Sequence, residues 1–153
     1  EPTDEPIRIL HVDDEPDFTD AVGTFLERQD HRFTVETSTH VPDALDRLAG
    51  DGFDCVVSDF EMPDRNGIEF LQNVRELNPN LPFILFTGKG SEEIASDAIS
   101  AGVTDYLQKD SGKTQFTVLA NRIQNAVEKY RAEAELADRE RRLNLFFEQY
   151  HSG

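Results

Sequence analysis

The chain has 153 residues, enough for one domain with its own hydrophobic core plus an appendage. Its 31 acidic residues against 15 basic ones give a formal charge of −16, which repels nucleic acid and anionic membrane and leaves no basic patch for direct binding of either. The hydrophobic fraction of 37% is low, yet it is gathered into short apolar runs that a disordered chain lacks, so a globular domain is expected.

Residues 1 to 6 are acidic and proline-bearing, unlike a basic signal peptide, and read as a tail. The run at 7 to 12, with Ile7, Ile9 and Leu10, predicts a first strand, and helical periodicity follows at about 15 to 30. The same alternation recurs as a strand at 33 to 38 and a helix at 41 to 50, then a strand at 54 to 58 and a helix at 67 to 77. A strand at 82 to 87 precedes a helix at 91 to 101, and a strand at 104 to 107 precedes a helix from 114 onward. Several strands are continuously apolar, as in Cys55-Val56-Val57 and Phe83-Ile84-Leu85-Phe86. Such strands belong in a parallel sheet covered by helices on both faces, so the expected fold is a three-layer α/β sandwich.

Breakers fall where this scheme needs them. Gly50-Asp51-Gly52 ends the second helix, Asn78-Pro79-Asn80 the third and Ala101-Gly102 the fourth, while Ser91 before Glu92 and Glu93 predicts an N-cap. Phe116, Leu119, Ile123, Val127 and Tyr130 keep one apolar face on the last helix, but residues 128 to 142 are mostly charged. The i,i+4 pairs Glu135 with Arg139 and Asp138 with Arg142 would sustain a solvated helix beyond the core. Leu143, Phe146, Phe147 and Tyr150 then form an apolar patch, which calls either for a partner helix, such as that of a second copy, or for further chain. The expected division is a tail at 1–6, a domain at 7–128, and an extended charged helix at 129–153 leading toward an output domain.

Cys55, the single cysteine, reads as a small buried hydrophobe, and no apolar stretch approaches the ~20 residues that span a bilayer. A reducing cytoplasm fits both. Only 4 of the 15 cations are lysine, an acid-rich, lysine-poor balance that suits a halophilic source; an ordinary acidic cytosolic protein is the alternative.

In a parallel sheet of this kind ligands bind where strands end, near the topological switch point. Strand one ends in Asp13-Asp14, strand three in Asp59, strand four in Thr87-Gly88, and strand five leads into Lys109. Three crowded carboxylates repel unless a cation sits among them, and Mg²⁺ suits a site of one or two carboxylates plus phosphate oxygens. A lysine and a hydroxyl beside them are the groups that phosphoryl transfer needs for positioning and charge neutralisation, and a carboxylate can itself accept the phosphoryl group.

Val12-Asp13-Asp14-Glu15, Asp59-Phe60-Glu61-Met62-Pro63 followed by Gly67, Thr87-Gly88 and Tyr106-Leu107-Gln108-Lys109 resemble the motifs of two-component response-regulator receiver domains, over roughly residues 6 to 128. The resemblance implies a flavodoxin-like sheet of order 2-1-3-4-5. It implies that Asp59 is the phosphoacceptor, charged by a histidine kinase or phosphotransfer domain, and that Asp14, Asp59 and the Glu61 backbone carbonyl hold Mg²⁺, with Asp13 acting through water. Lys109, Thr87 and Gly88 would contact the phosphoryl group, and Thr87 with Tyr106 would form the switch, although core packing alone also accounts for Tyr106. The sequence departs from the family in carrying Asp110 where proline usually follows the lysine, and Gly88 where alanine is common. Glu61 and Lys89 flank the expected phosphoryl position and either tune its lifetime or form an idle exposed pair. The segment 141–148 weakly resembles the lead-in to a PAS domain.

Plainer readings exist for single residues: Asp13 and Asp14 as helix caps, Asp59 as a turn former, and the four histidines as structural or solvated. Two alternatives compete for the whole. One is a receiver-like binding module that works without phosphorylation; the other is an aspartyl-phosphate phosphatase or transferase. The latter wants an aspartate two residues past the nucleophile, where this chain has Glu61, and a cap insertion that it lacks.

Overall fold

Alternating side chains of five strands are divided between two cores, one on each side of a single sheet. In the computed structural model, which describes residues 4–88 and 90–151 (the last as backbone), the strands are β1 (Ile7–Val12), β2 (Phe33–Ser38), β3 (Cys55–Ser58), β4 (Phe83–Thr87) and β5 (Asp105–Gln108). The helices are α1 (Pro16–Gln29), α2 (Val41–Gly50), α3 (Gly67–Leu77), α4 (Glu92–Ser100) and α5 (Thr114–His151). The sheet is parallel throughout, in the order β2-β1-β3-β4-β5.

On one face Ile7, Ile9, Cys55, Val57, Ile84 and Phe86 pack against Val22 and Leu26 of α1 and Leu119, Ile123 and Val127 of α5. On the other, Leu10, Val12, Val56, Phe83 and Leu85 pack against α2, α3 and α4. The flavodoxin-like three-layer sandwich expected from the sequence is thus the observed architecture. Burial of Cys55 pushes its thiol pKa up, in keeping with its reading as a small hydrophobe.

Strand starts shift by one residue from their predicted places at 54, 82 and 104. Pro82 has no N–H to give a ladder. Thr104 instead accepts the Phe83 N–H on its side-chain Oγ1 at 3.0 Å. Ser91 caps α4 by accepting the Ile94 N–H, as predicted. Asn66 and Glu69 form a reciprocal capping box on α3. Its signature, Asn followed three residues later by Glu before an apolar run, is a sequence signal that helical periodicity alone does not use. Gly102, with φ of 92°, turns the chain out of α4 in the left-handed region that glycine tolerates.

The rim where the strands begin is closed by paired charges. Asp30 and Arg32, both nearly buried, pair at 2.7 Å, and Gln124 of α5 donates to the same Asp30 carboxylate at 3.0 Å. The Arg32 bonds hold the Asp30 pKa well below the usual carboxylate range. Arg131 reaches the Pro6 carbonyl and pairs with Glu5 and Asp54, and Arg75 donates to the carbonyls of Asn78, Leu81 and Gly102.

At ~1.5 Å per residue the 38 residues of α5 run about 57 Å. The helix carries buried or half-buried side chains as far as Arg131; beyond that point every described residue but Asp138 is exposed. Both anticipated i,i+4 pairs form, Glu135 with Arg139 and Asp138 with Arg142. Leu143, Phe146, Phe147 and Tyr150 are half exposed or more. No helix among the described residues is long and apolar enough to cross a membrane.

Candidate functional site

The switch point of this sheet lies between β1 and β3, because β1 is flanked by β2 on one side and β3 on the other while the chain winds outward in both directions. Val12 lies opposite Ser58 in the register, so the next residues on each strand, Asp13 and Asp59, emerge side by side at the carboxyl rim. The Asp59 N–H donates to the Val12 carbonyl at 3.0 Å and the Asp13 N–H to the Ser38 carbonyl at 3.1 Å, locking both strand ends. One oxygen from each of Asp13, Asp14 and Asp59 lies within 4.8 Å of the others.

The three carboxylates differ in what already occupies them. Asp13 is fully buried; one of its oxygens accepts the Glu15 N–H at 3.0 Å and the other the Lys109 ammonium at 2.8 Å. Asp59 is 7% exposed; its Oδ1 accepts the Phe60 N–H at 2.7 Å and its Oδ2 lies 3.4 Å from Lys109 Nζ. Asp14 is exposed. Asp13 does not cap α1: the N-cap is Glu15, which makes no side-chain cap bond. These are hard oxygen donors with no soft ligand among them, a set that fits Mg²⁺.

A cavity of about 270 Å³ opens beside the cluster, lined by Glu15, Phe18, Asp59, Glu61, Thr87, Gly88 and Lys109. Among the described residues Lys109 is its only cation. Thr87 is buried at the end of β4, where its carbonyl accepts the Lys109 N–H at 2.8 Å. A methyl group on Gly88 would meet Lys109 Cδ at 3.9 Å, ordinary contact, so space alone does not require glycine there. Gly67 is different: a Cβ would stand 2.3 Å from the Asp59 carbonyl, so its absence lets α3 start against the end of β3.

Tyr106 is half-buried against the α2/α3/α4-side core, and its hydroxyl is enclosed without a hydrogen-bond partner among the described residues. Gly90 lies over it, where a Cβ would come within 2.8 Å of that oxygen. The structure therefore brings together Asp13, Asp14, Asp59, Thr87, Gly88 and Lys109, with Glu61 at the cavity edge. Tyr106 sits one strand outward, and the expectation for Lys89 lies outside the described residues.

Three features escape sequence patterns. The loop after Lys109 is held by Gln115, whose side-chain oxygen accepts the Asp110 N–H at 2.8 Å while its nitrogen donates to the Gly112 carbonyl at 2.9 Å. The Lys109–Asp110 peptide is trans. His11 is buried on the α1/α5 face with neither ring nitrogen bonded, and burial together with the Lys109 charge pushes its pKa down to about 3, leaving it neutral. Phe18, finally, stands under the Lys109 ammonium, 4.2 Å from ring centroid to Nζ.

Comparison with known proteins agrees with this geometry. A family model described as the response regulator receiver domain matches residues 9–124. Response regulator SaeR of Staphylococcus aureus is 30% identical over 122 residues, covering 80% of this chain and 52% of that protein. Response regulator protein PilR of Pseudomonas aeruginosa is 31% identical over 102 residues, covering 67% of this chain and 22% of that protein. The chain thus spans about half or less of these relatives' length. Among solved structures, a CheY-like receiver domain from Methanospirillum hungatei superposes with TM-score 0.76 at 26% identity, over 84% of this chain and 99% of that one. The beryllofluoride-activated NtrC4 receiver domain dimer superposes with TM-score 0.71 at 30% identity, over 80% and 98%. The chain belongs to the response regulator receiver family, the signalling modules of two-component systems.

Proposed function

We propose that Asp59 accepts a phosphoryl group from a histidine kinase or phosphotransfer domain and that the charged state is passed on through Tyr106 and α5. The observation that carries this reading is the distribution of partners at the rim: Asp13 is buried with a partner on each oxygen, Asp59 has one oxygen toward Lys109 and the cavity, and Asp14 is exposed. Asp14, Asp59 and the Glu61 carbonyl would hold Mg²⁺, with Asp13 behind them. Bound there, the ion would offset the negative charge of the carboxylates and the incoming phosphoryl oxygens.

An Asp59 carboxylate oxygen forms the new bond to phosphorus as the bond from phosphorus to the donor's imidazole nitrogen breaks, and the imidazole leaves neutral once protonated. Lys109 neutralises phosphoryl oxygens on the side away from Asp14. Thr87 donates its hydroxyl to the phosphoryl group, and Tyr106, seated inward under Gly90, follows that movement. Glu61 lines the cavity, and with Lys89, two residues past Thr87 in the sequence, it would tune the lifetime of the acyl phosphate.

In this reading residues 7–128 are the receiver, 1–6 a tail, and 129–153 a helix that links to an output domain, of PAS type on the weak resemblance of its last turns, or pairs with a second copy. The setting is cytoplasmic, and the acidic, lysine-poor surface suits high salt.

The test is intact mass after incubation with Mg²⁺ and acetyl phosphate or phosphoramidate, at low and molar salt, for wild type and Asp59→Asn. A phosphate-sized adduct that needs both metal and Asp59 is expected. Folded wild type that binds Mg²⁺ but gains no adduct from any donor, kinase included, would favour the phosphorylation-independent binding module.

A further inference from the structure

A lysine is a flexible point charge, and nothing in its own chemistry keeps it aimed at one oxygen. At this rim Lys109 Nζ has three neighbours: Asp13 at 2.8 Å, Asp59 at 3.4 Å, and the face of Phe18 at 4.2 Å. The two carboxylates attract the ammonium and the ring face packs against it. Asp110 follows Lys109 through a trans peptide, Gln115 holds the loop backbone, and Phe18 meets the ammonium itself.

Phe18 is itself held. Its ring makes tilted contacts with Phe86 at 6.0 Å, Phe116 at 6.1 Å and His11 at 6.1 Å, three rings that belong to β4, α5 and β1. Phe86 and His11 are buried, so the platform has little freedom to turn. Phe18 also lines the cavity, beside Lys109. A cation over an aromatic face in a partly desolvated place is attracted more strongly than one in bulk water.

We infer that Phe18 is a positioning residue for phosphoryl transfer: its ring face holds the Lys109 ammonium toward Asp59 and the incoming phosphoryl oxygens. The inference rests on the proposed role of Asp59 as acceptor. A leucine at this position would keep the apolar volume but lose the electron-rich face, freeing Lys109 to fold onto Asp13 alone or out to water. Tyrosine would keep the face.

The experiment compares wild type, Phe18→Leu and Phe18→Tyr, each also with Lys109→Met, using acetyl phosphate and Mg²⁺ with intact mass as the readout. Phe18→Leu is expected to slow phosphorylation about fivefold, in the range of a cation–π contact, with Mg²⁺ affinity unchanged, and Phe18→Tyr to stay within about twofold of wild type. With Lys109→Met, Phe18→Leu should change the rate no further. Equal slowing by leucine and tyrosine, no slowing by leucine, or the same fold loss with and without Lys109 would each overturn the inference. If wild type takes no phosphate from acetyl phosphate or any other donor, kinase included, the acceptor reading fails. The same six proteins then test the contact by urea unfolding: non-additive midpoints for Phe18→Leu and Lys109→Met support the hold, and additive ones overturn it.

Discussion

The two rims of the sheet handle charge in opposite ways. Where strands begin, Asp30 meets Arg32, Arg131 meets Glu5 and Asp54, and the guanidinium of Arg75 is used up on carbonyls. Where they end, Asp13 and Asp59 share the ammonium of Lys109 while Asp14 stands exposed beside them, with no second cation there among the described residues. The first arrangement fastens α1, β2 and α5 together; the second keeps like charges close and stores repulsion that a cation or a chemical change can relieve. Stability and responsiveness are thereby assigned to opposite ends of one fold.

The largest effect should come from breaking the fastened rim. Asp30→Ala takes the main partner from the nearly buried Arg32 and should cost about 3 kcal/mol, read as a lower denaturation midpoint at unchanged slope. Because its folded pKa is depressed, Asp30 adds stability above its unfolded value of about 3.9 and loses that contribution as pH falls below it. Wild type should therefore destabilise more steeply than Asp30→Ala between about pH 4 and 2, and parallel pH profiles would refute this.

At the responsive rim the sign should reverse. Asp14→Asn removes one of three crowded charges at an exposed position, and in chelator should raise stability by about 1 kcal/mol. Adding Mg²⁺ should stabilise wild type and erase that advantage. Gln115→Ala releases the loop behind Lys109 rather than any charge; phosphorylation should slow about threefold while unfolding changes by less than about 1 kcal/mol. The smallest effect is expected from truncation after Arg131, since the described residues beyond it are almost wholly exposed; the thermal midpoint should move by less than about 2 °C. A larger drop, especially one dependent on protein concentration, would point to helices paired between copies.

Much of this molecule is legible in its residues before any coordinates. The continuously apolar runs of β3 and β4 can only be buried on both faces, and the intervening 3.6-residue periodicity supplies the covering helices, so strand order and strand-end placement of Asp13, Asp59, Thr87 and Lys109 follow from pattern and family motif. Starts shifted by one residue at Pro82 and Thr104 because ladder bonds depend on which side chain or carbonyl is nearby. Relations between elements distant along the chain emerge only on folding. Asp13 rather than Asp14 is paired, because Lys109, 96 residues away, reaches it. Tyr106 is enclosed because Gly90 has no side chain to displace it. Phe18 sits on the ordinary apolar face of α1 and carries no motif; only the convergence of β1, β4, β5 and α5 brings its ring beneath an ammonium. Local periodicity encodes which way a side chain faces, whereas the partner it meets is set by how the layers close.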